Sequence, residues 1–184
     1  MDKTAVLFLT TGFEEAEALV TLDMLRRGGV AVTTASLTGD LYVTGSHDIT
    51  VRADALFEDV KDAAYDALIL PGGPGTSRYF EHENLLNRIK KAAECGHAVI
   101  AAICAAPSVL GYLGLLNGKR ATCFPGFEDK LTGATVTGQP SETDGRVVTG
   151  KSAGCVFDFS FALLKYLCGD ETAEKIRSAV YYKT

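Results

Sequence analysis

Three short segments carry residue types that could do chemistry together. The first is Cys104, in the run Val99-Ile100-Ala101-Ala102-Ile103-Cys104-Ala105-Ala106-Pro107, where a buried-strand pattern stops at a thiol followed by small residues and a proline suited to a helix's first turn. A side chain between the carboxyl end of a strand and the amino end of the next helix enters the crevice where open α/β sheets bind ligands, so the run reads as a nucleophile elbow. The helix terminus would also favour thiolate over thiol. The second segment is Thr11-Gly12-Phe13-Glu14-Glu15-Ala16-Glu17, and the third is Pro71-Gly72-Gly73-Pro74-Gly75. A thiolate can attack a carbonyl, and backbone N–H groups can hold the developing oxyanion, for which Gly73 and Ala105 are the candidates. A helix opening near Glu15 sets Glu17 roughly 200° round the axis from it, so one acid can face inward while the others stay wet. Burial would keep such an acid protonated and let it move a proton on the substrate, the role assigned to Glu17.

The elements that must position these groups alternate along the chain. Ala5 to Thr10 is a continuous apolar run suited to a strand covered on both faces, followed by a helix from Glu15 to Arg27 that Gly28-Gly29 ends. Val30 to Ser36 is a second strand, and Ile49 to Val51 belongs to a hairpin region. Ala67 to Leu70 repeats the buried-strand pattern before the glycine turn. A helix from Asn84 to Glu94, closed by Gly96, leads to the strand carrying Cys104, and another runs from Ala105 to Leu113. Residues Ala134 to Thr149 read as short strands turning at Asp144-Gly145, and Cys155 to Leu167 as a long apolar helix before a final short one. Alternation of this kind implies an α/β fold with a mostly parallel sheet between helical layers and right-handed crossovers. The carboxyl ends of the strands then share one edge, which collects all three segments.

Composition narrows the partners. The 184 residues are 47% hydrophobic with a net charge of −5, and the lysines and arginines are scattered, so they read as one domain, 1–184, with a real core and no footprint for nucleic acid. The run from Ala5 to Leu9 is too short for a signal-peptide core, and nothing reaches membrane-spanning length. Five cysteines, 95, 104, 123, 155 and 168, form no CxxC pair and no ligand-spaced cluster with the three histidines, which reads as free thiols in a reducing cytoplasm with no metal.

Taken in order, Gly12-Phe13-Glu14-Glu15-Ala16-Glu17, Leu70-Pro71-Gly72-Gly73 and Ala101-Ala102-Ile103-Cys104-Ala105-Ala106-Pro107 resemble the ThiJ/PfpI superfamily, in the branch of the parkinsonism-associated deglycase; Val148-Thr149-Gly150-Lys151-Ser152-Ala153-Gly154 is similar to that branch's closing segment. The resemblance implies a flavodoxin-like three-layer sandwich, a homodimer, Cys104 as nucleophile, Glu17 as its protonated partner, and Gly73 with Ala105 as oxyanion donors. It implies cofactor-independent conversion of small 2-oxoaldehydes such as methylglyoxal to hydroxy acids, or removal of early glycation adducts. The alternative is an oxidative-stress sensor or protective chaperone acting through oxidation of Cys104, with hydrolase, hydratase or protease chemistry behind both. Relatives often carry a histidine before proline near the pocket, where this chain has Phe124-Pro125 after Cys123; these three and Gly72 are the remaining pocket candidates. The protease-like branch has a histidine directly after the nucleophile, where this chain has Ala105.

Taken singly, each feature has a plainer reading. A cysteine in an apolar run is often a small core residue, and a helical glutamate is ordinarily solvated. The glycine turn lacks the Gly-Lys-Ser/Thr ending of a phosphate loop, and the acidic first loop would repel phosphate.

Overall fold

The computed structural model describes residues 3–183. Apolar runs at Thr4–Leu9 (β1), Ala67–Leu70 (β6) and Val99–Ile103 (β7) form the centre of a seven-stranded sheet, completed by Ala31–Ser36 (β2), Ala55–Leu56 (β5), Ser141–Asp144 (β10) and Val147–Gly150 (β11). The strand order is β10-β11-β7-β6-β1-β2-β5, and every pairing is parallel except that of β10 with β11. Two small ribbons stand apart, Tyr42–Thr44 (β3) with Thr50–Arg52 (β4), and Arg120–Ala121 (β8) with Thr135–Val136 (β9).

Period-two alternation divides the core between the two faces of the sheet. Ala5, Leu7, Leu9, Ala67, Ile69, Val99, Ala101 and Ile103 pack under the helices Glu15–Arg27 (α1), Val156–Cys168 (α5) and Asp170–Ala179 (α6). Val6, Phe8, Leu68, Leu70, Ile100 and Ala102 face the other way, against Phe57–Val60 (α2), Glu83–Cys95 (α3) and Pro107–Tyr112 (α4). Strands buried on both faces must be apolar throughout, which is why their sequences do not alternate. The result is a mostly parallel sheet between two helical layers, the flavodoxin-like sandwich.

Several boundaries differ from the sequence reading. The helix expected from Ala105 starts at Pro107, because Ala105 and Ala106 belong to the turn that follows the strand; proline at the first position has no N–H to leave unpaired. Pro74–Glu81, unassigned in sequence, is a run of 3₁₀ helix leading away from the glycine turn. The hairpin region near Ile49 is the β3–β4 ribbon, with residues 45–49 at its tip. The long apolar helix starts at Val156 after a short turn over Ala153–Cys155.

Candidate active site

Cys104 follows the last residue of β7 and takes a backbone φ of +66°, one of three non-glycine residues among those described with a positive value. L-residues are rarely held in this left-handed region, and the surrounding hydrogen bonds enforce it. The Cys104 N–H donates to the Gly150 carbonyl at 2.9 Å, and its carbonyl accepts from the Phe124 N–H at 2.8 Å. The strand therefore ends in a sharp turn that leaves the thiol half-buried at the sheet's carboxyl edge, the elbow read from sequence.

The glycine turn approaches so closely that side chains are excluded from it. A β-carbon on Gly72 would lie 2.7 Å from Cys104 Cβ and 2.8 Å from Glu17 Oε2. At Gly73, where φ is +94°, it would lie 2.6 Å from the Glu14 nitrogen. The backbone N–H groups of Gly73 and Ala105 lie beside the Cys104 sulfur and favour its ionised form.

Glu17 is 1% exposed. Its Oε2 accepts the Gly72 N–H at 2.8 Å, whereas Oε1 is buried with no hydrogen-bond partner of regular geometry. The neighbouring polar side chain is the Cys104 thiol. Burial pushes the Glu17 carboxyl up to about 7, with the Gly72 N–H and the thiol pulling the other way. The low-pKa thiol expected from sequence is not what the surroundings favour. Burial and the Glu17 carboxylate push Cys104 up to about 12, against the downward pull of the Gly73 and Ala105 N–H groups, and α4 is only six residues long. The ionisations of Glu17 and Cys104 are thus coupled, because the negative charge opposing the thiolate disappears once Glu17 is protonated.

The first loop holds a further arrangement that sequence did not reveal. Glu15 was expected to stay wet but is 5% exposed. It accepts the His47 N–H on Oε1 at 2.7 Å, and its Oε2 meets His47 Nδ1 at 2.9 Å and the Ser46 hydroxyl at 3.1 Å. Burial alone would raise this carboxyl, but the His47 and Ser46 hydrogen bonds outweigh it and hold the group at about 2. The His47 ring is raised in turn, chiefly by its hydrogen bond to Glu15. Together these contacts fasten the β3–β4 tip onto the loop before α1, where Gly12 N–H also donates to Thr44 O. Residue 47 lies outside the three segments and 32 residues from Glu15, and no local pattern links the two. The donor atoms of Glu14, Glu15 and His47 lie within 4.8 Å of one another, the one grouping of three potential metal donors among the described residues.

Of the other pocket candidates, Phe124 is exposed beside the nucleophile's backbone and Pro125 is exposed next to it. Cys123 is 3% exposed and packs in the core cluster beneath α3 and α4, so its side chain is not part of this arrangement. All five cysteines are free thiols. Among the described residues, no helix is long and apolar enough to cross a membrane.

Comparison with known proteins fits this geometry. Residues 3–166 match the model of the DJ-1/PfpI family. The chain is similar to the DJ-1 homolog A of Arabidopsis thaliana, with 39% identity over 180 residues, covering 96% of this chain and 46% of that protein; it spans less than half the length of that plant relative. It is also similar to a protein of Pyrococcus abyssi named a deglycase, 33% identical over 157 residues, covering 84% of this chain and 93% of the other. The crystal structure of Drosophila melanogaster DJ-1beta superposes with a TM-score of 0.93 at 30% identity, covering 100% of both chains.

Proposed function

The chain belongs to the DJ-1/PfpI family, and from that premise we propose that it is a cofactor-independent glyoxalase or deglycase acting on small 2-oxoaldehydes or early glycation adducts. The observation that carries this reading is the pairing of a positive-φ thiol with a buried carboxyl whose Oε1 has no other partner. The similarity to a protein named a deglycase supports the same class.

In the proposed reaction the Cys104 sulfur adds to the aldehyde carbon of a 2-oxoaldehyde, and the oxygen of the resulting hemithioacetal takes up the proton. The N–H groups of Gly73 and Ala105 stabilise the oxygen while it is negative. Glu17, as carboxylate, removes the C1 proton, and the electron pair shifts onto O2 to give an enediolate, to whose O2 the O1 hydroxyl proton passes. Glu17 then delivers its proton to C2 as the C1 carbonyl re-forms, which leaves a 2-hydroxy thioester on Cys104 and Glu17 again as carboxylate. Water displaces the sulfur, releasing the hydroxy acid and restoring the thiol. The sum is aldehyde oxidation coupled to ketone reduction within one molecule plus addition of water, so no external electron carrier is required. Phe124 sets an apolar surface where relatives often place a histidine, and a substrate with an apolar substituent suits that change.

A second reading rests on the same sulfur: the Gly73 and Ala105 N–H groups could equally hold the oxygens of an oxidised Cys104, which would make the protein an oxidant sensor. Parallel measurement of hydroxy-acid formation from methylglyoxal without glutathione and of Cys104 oxidation at low peroxide separates the two. Turnover supports the enzyme, while selective oxidation without turnover supports the sensor. We also propose a homodimer; Leu19, Leu22 and Val51, with Arg26, Arg52 and Asp54, line a small groove across α1 and β4, and sedimentation would test its pairing.

A further inference from the structure

A cleft of about 430 Å³ lies away from Cys104. Its lining comes from the turn that follows α2, from α3, and from residues 97 and 98 ahead of β7. Tyr65 lies two residues before β6 and Ala98 immediately before β7, so the cleft sits at the amino edge of the sheet, whereas the thiol sits at the carboxyl edge. Five residues of β7 at about 3.3 Å each separate the two edges by roughly 15 Å. A ligand here would not touch the catalytic groups.

The charges and the floor of the cleft are of different kinds. Lys61, Arg88 and Lys91 line it against the single carboxylate of Asp62, in a chain whose net charge is −5. Arg88 Nη2 donates to the Ala63 carbonyl at 2.6 Å, which fixes the guanidinium beside the cleft. Lys61 is paired with Glu58 at 2.6 Å, whereas Lys91 forms no ion pair among the described residues. Asn84 and Asn87 add amide donors, and Ala63, Ala64, Ala92, Ala98 and the Tyr65 ring supply apolar surface. A volume within the range of small-molecule sites, apolar surface and cationic side chains on its lining fit one ligand class.

We propose that this cleft binds a small organic anion, a carboxylate or phosphate monoester carried on an apolar body, with Arg88 and Lys91 on the charge and the alanines and Tyr65 against the body. The exposed Cys95 thiol, which also lines the cleft, is a built-in reporter of occupancy.

The test is titration of the full chain with phenyl phosphate, benzoate and inorganic phosphate, following heat and the rate of Cys95 alkylation by iodoacetamide. Phenyl phosphate or benzoate should bind saturably at one site and slow alkylation of Cys95, with inorganic phosphate at least tenfold weaker; which organic anion binds better distinguishes the headgroup. Lys91→Glu and Asn87→Asp, both at exposed positions, should each weaken binding at least about tenfold and restore the alkylation rate. Absence of saturable binding at millimolar concentrations, equal binding of inorganic phosphate, or unchanged binding in both variants would overturn the proposal. None of these outcomes depends on the activity of Cys104.

Discussion

Glu17 reaches from α1 to accept the Gly72 N–H at 2.8 Å, which ties the acid of the first loop to the glycine turn of the second. The contact holds the carboxyl beside the thiol and leaves Oε1 without a partner of its own. A group so placed must be neutral or share a proton to be tolerated in a buried site.

The stability of the fold should therefore depend on pH through Glu17. Its native carboxyl is raised to about 7 from an ordinary value of 4.5. Between these values the native state binds more protons than the unfolded chain, so this group's contribution to stability falls as pH rises from about 4.5 to about 7 and then levels off. Denaturant unfolding at several pH values should show the loss in the wild type, and Glu17→Gln should flatten that part of the profile. An unchanged profile in the variant would contradict the burial argument.

Glu17→Gln should also lower the pH at which Cys104 ionises, since it removes the carboxylate charge and keeps an oxygen for the Gly72 N–H. Thiolate absorbance followed against pH reads this directly. A thiol whose ionisation does not move would mean that Glu17 and Cys104 are not coupled.

Gly72→Ala should destabilise the protein by about 1–3 kcal/mol, the usual cost of forcing atoms into a packed interior. The new methyl would lie 2.7 Å from Cys104 Cβ and 2.8 Å from both Glu17 Oε2 and the Ile103 carbonyl. Thermal unfolding measures the cost, and alkylation of Cys104 shows whether the elbow has shifted. Full stability would contradict the close approach described for this turn.

Cys104→Val should be less stable than Cys104→Ala by about 1–2 kcal/mol, because a β-branched residue resists the positive φ of +66° more strongly than alanine does. Comparison of the two variants by chemical denaturation separates backbone strain from loss of the sulfur. Equal stabilities would argue that the backbone relaxes to an ordinary conformation once the thiol is gone.

His47→Ala should weaken the fastening of the β3–β4 tip and change acid stability. Native Glu15 is held at about 2 against an ordinary 4.5, so its stabilising contribution is present above 4.5 and lost as pH falls through the interval toward 2. Removing the ring donor, while the backbone N–H of residue 47 remains, should lower stability at neutral pH and make the loss between pH 4.5 and 2 shallower. An identical acid profile in the variant would show that the His47 ring does not hold Glu15.

The central strands and the elbow were legible in the sequence because parallel strands covered on both faces have a distinctive continuous apolar pattern, and because Pro107 marks where a helix can begin. Val99 to Ile103 and Ala67 to Leu70 matched their observed limits for this reason. The convergence of Glu17, Gly72, Gly73 and Cys104 was legible at the level of topology, since all three loops leave the same sheet edge. The ionisation of the thiol was not, because it depends on a charge contributed from 87 residues earlier in the chain and on the depth of burial, neither of which local sequence encodes. The Glu15–His47 contact escaped for a similar reason, and the 3₁₀ run over Pro74–Glu81 did because its Pro-Gly start reads as a continuation of the glycine turn.

The central claim is that Cys104 and Glu17 act as a pair on a 2-oxoaldehyde. Lactate formation from methylglyoxal without glutathione should be measured for the wild type, Cys104→Ala and Glu17→Gln, each verified as folded. The account predicts turnover in the wild type, its loss in Cys104→Ala, and a fall of about 10²–10⁴-fold in Glu17→Gln, the range expected for removing a general acid–base group. A folded wild type that forms no lactate, or a Glu17→Gln variant that keeps full activity, would contradict it.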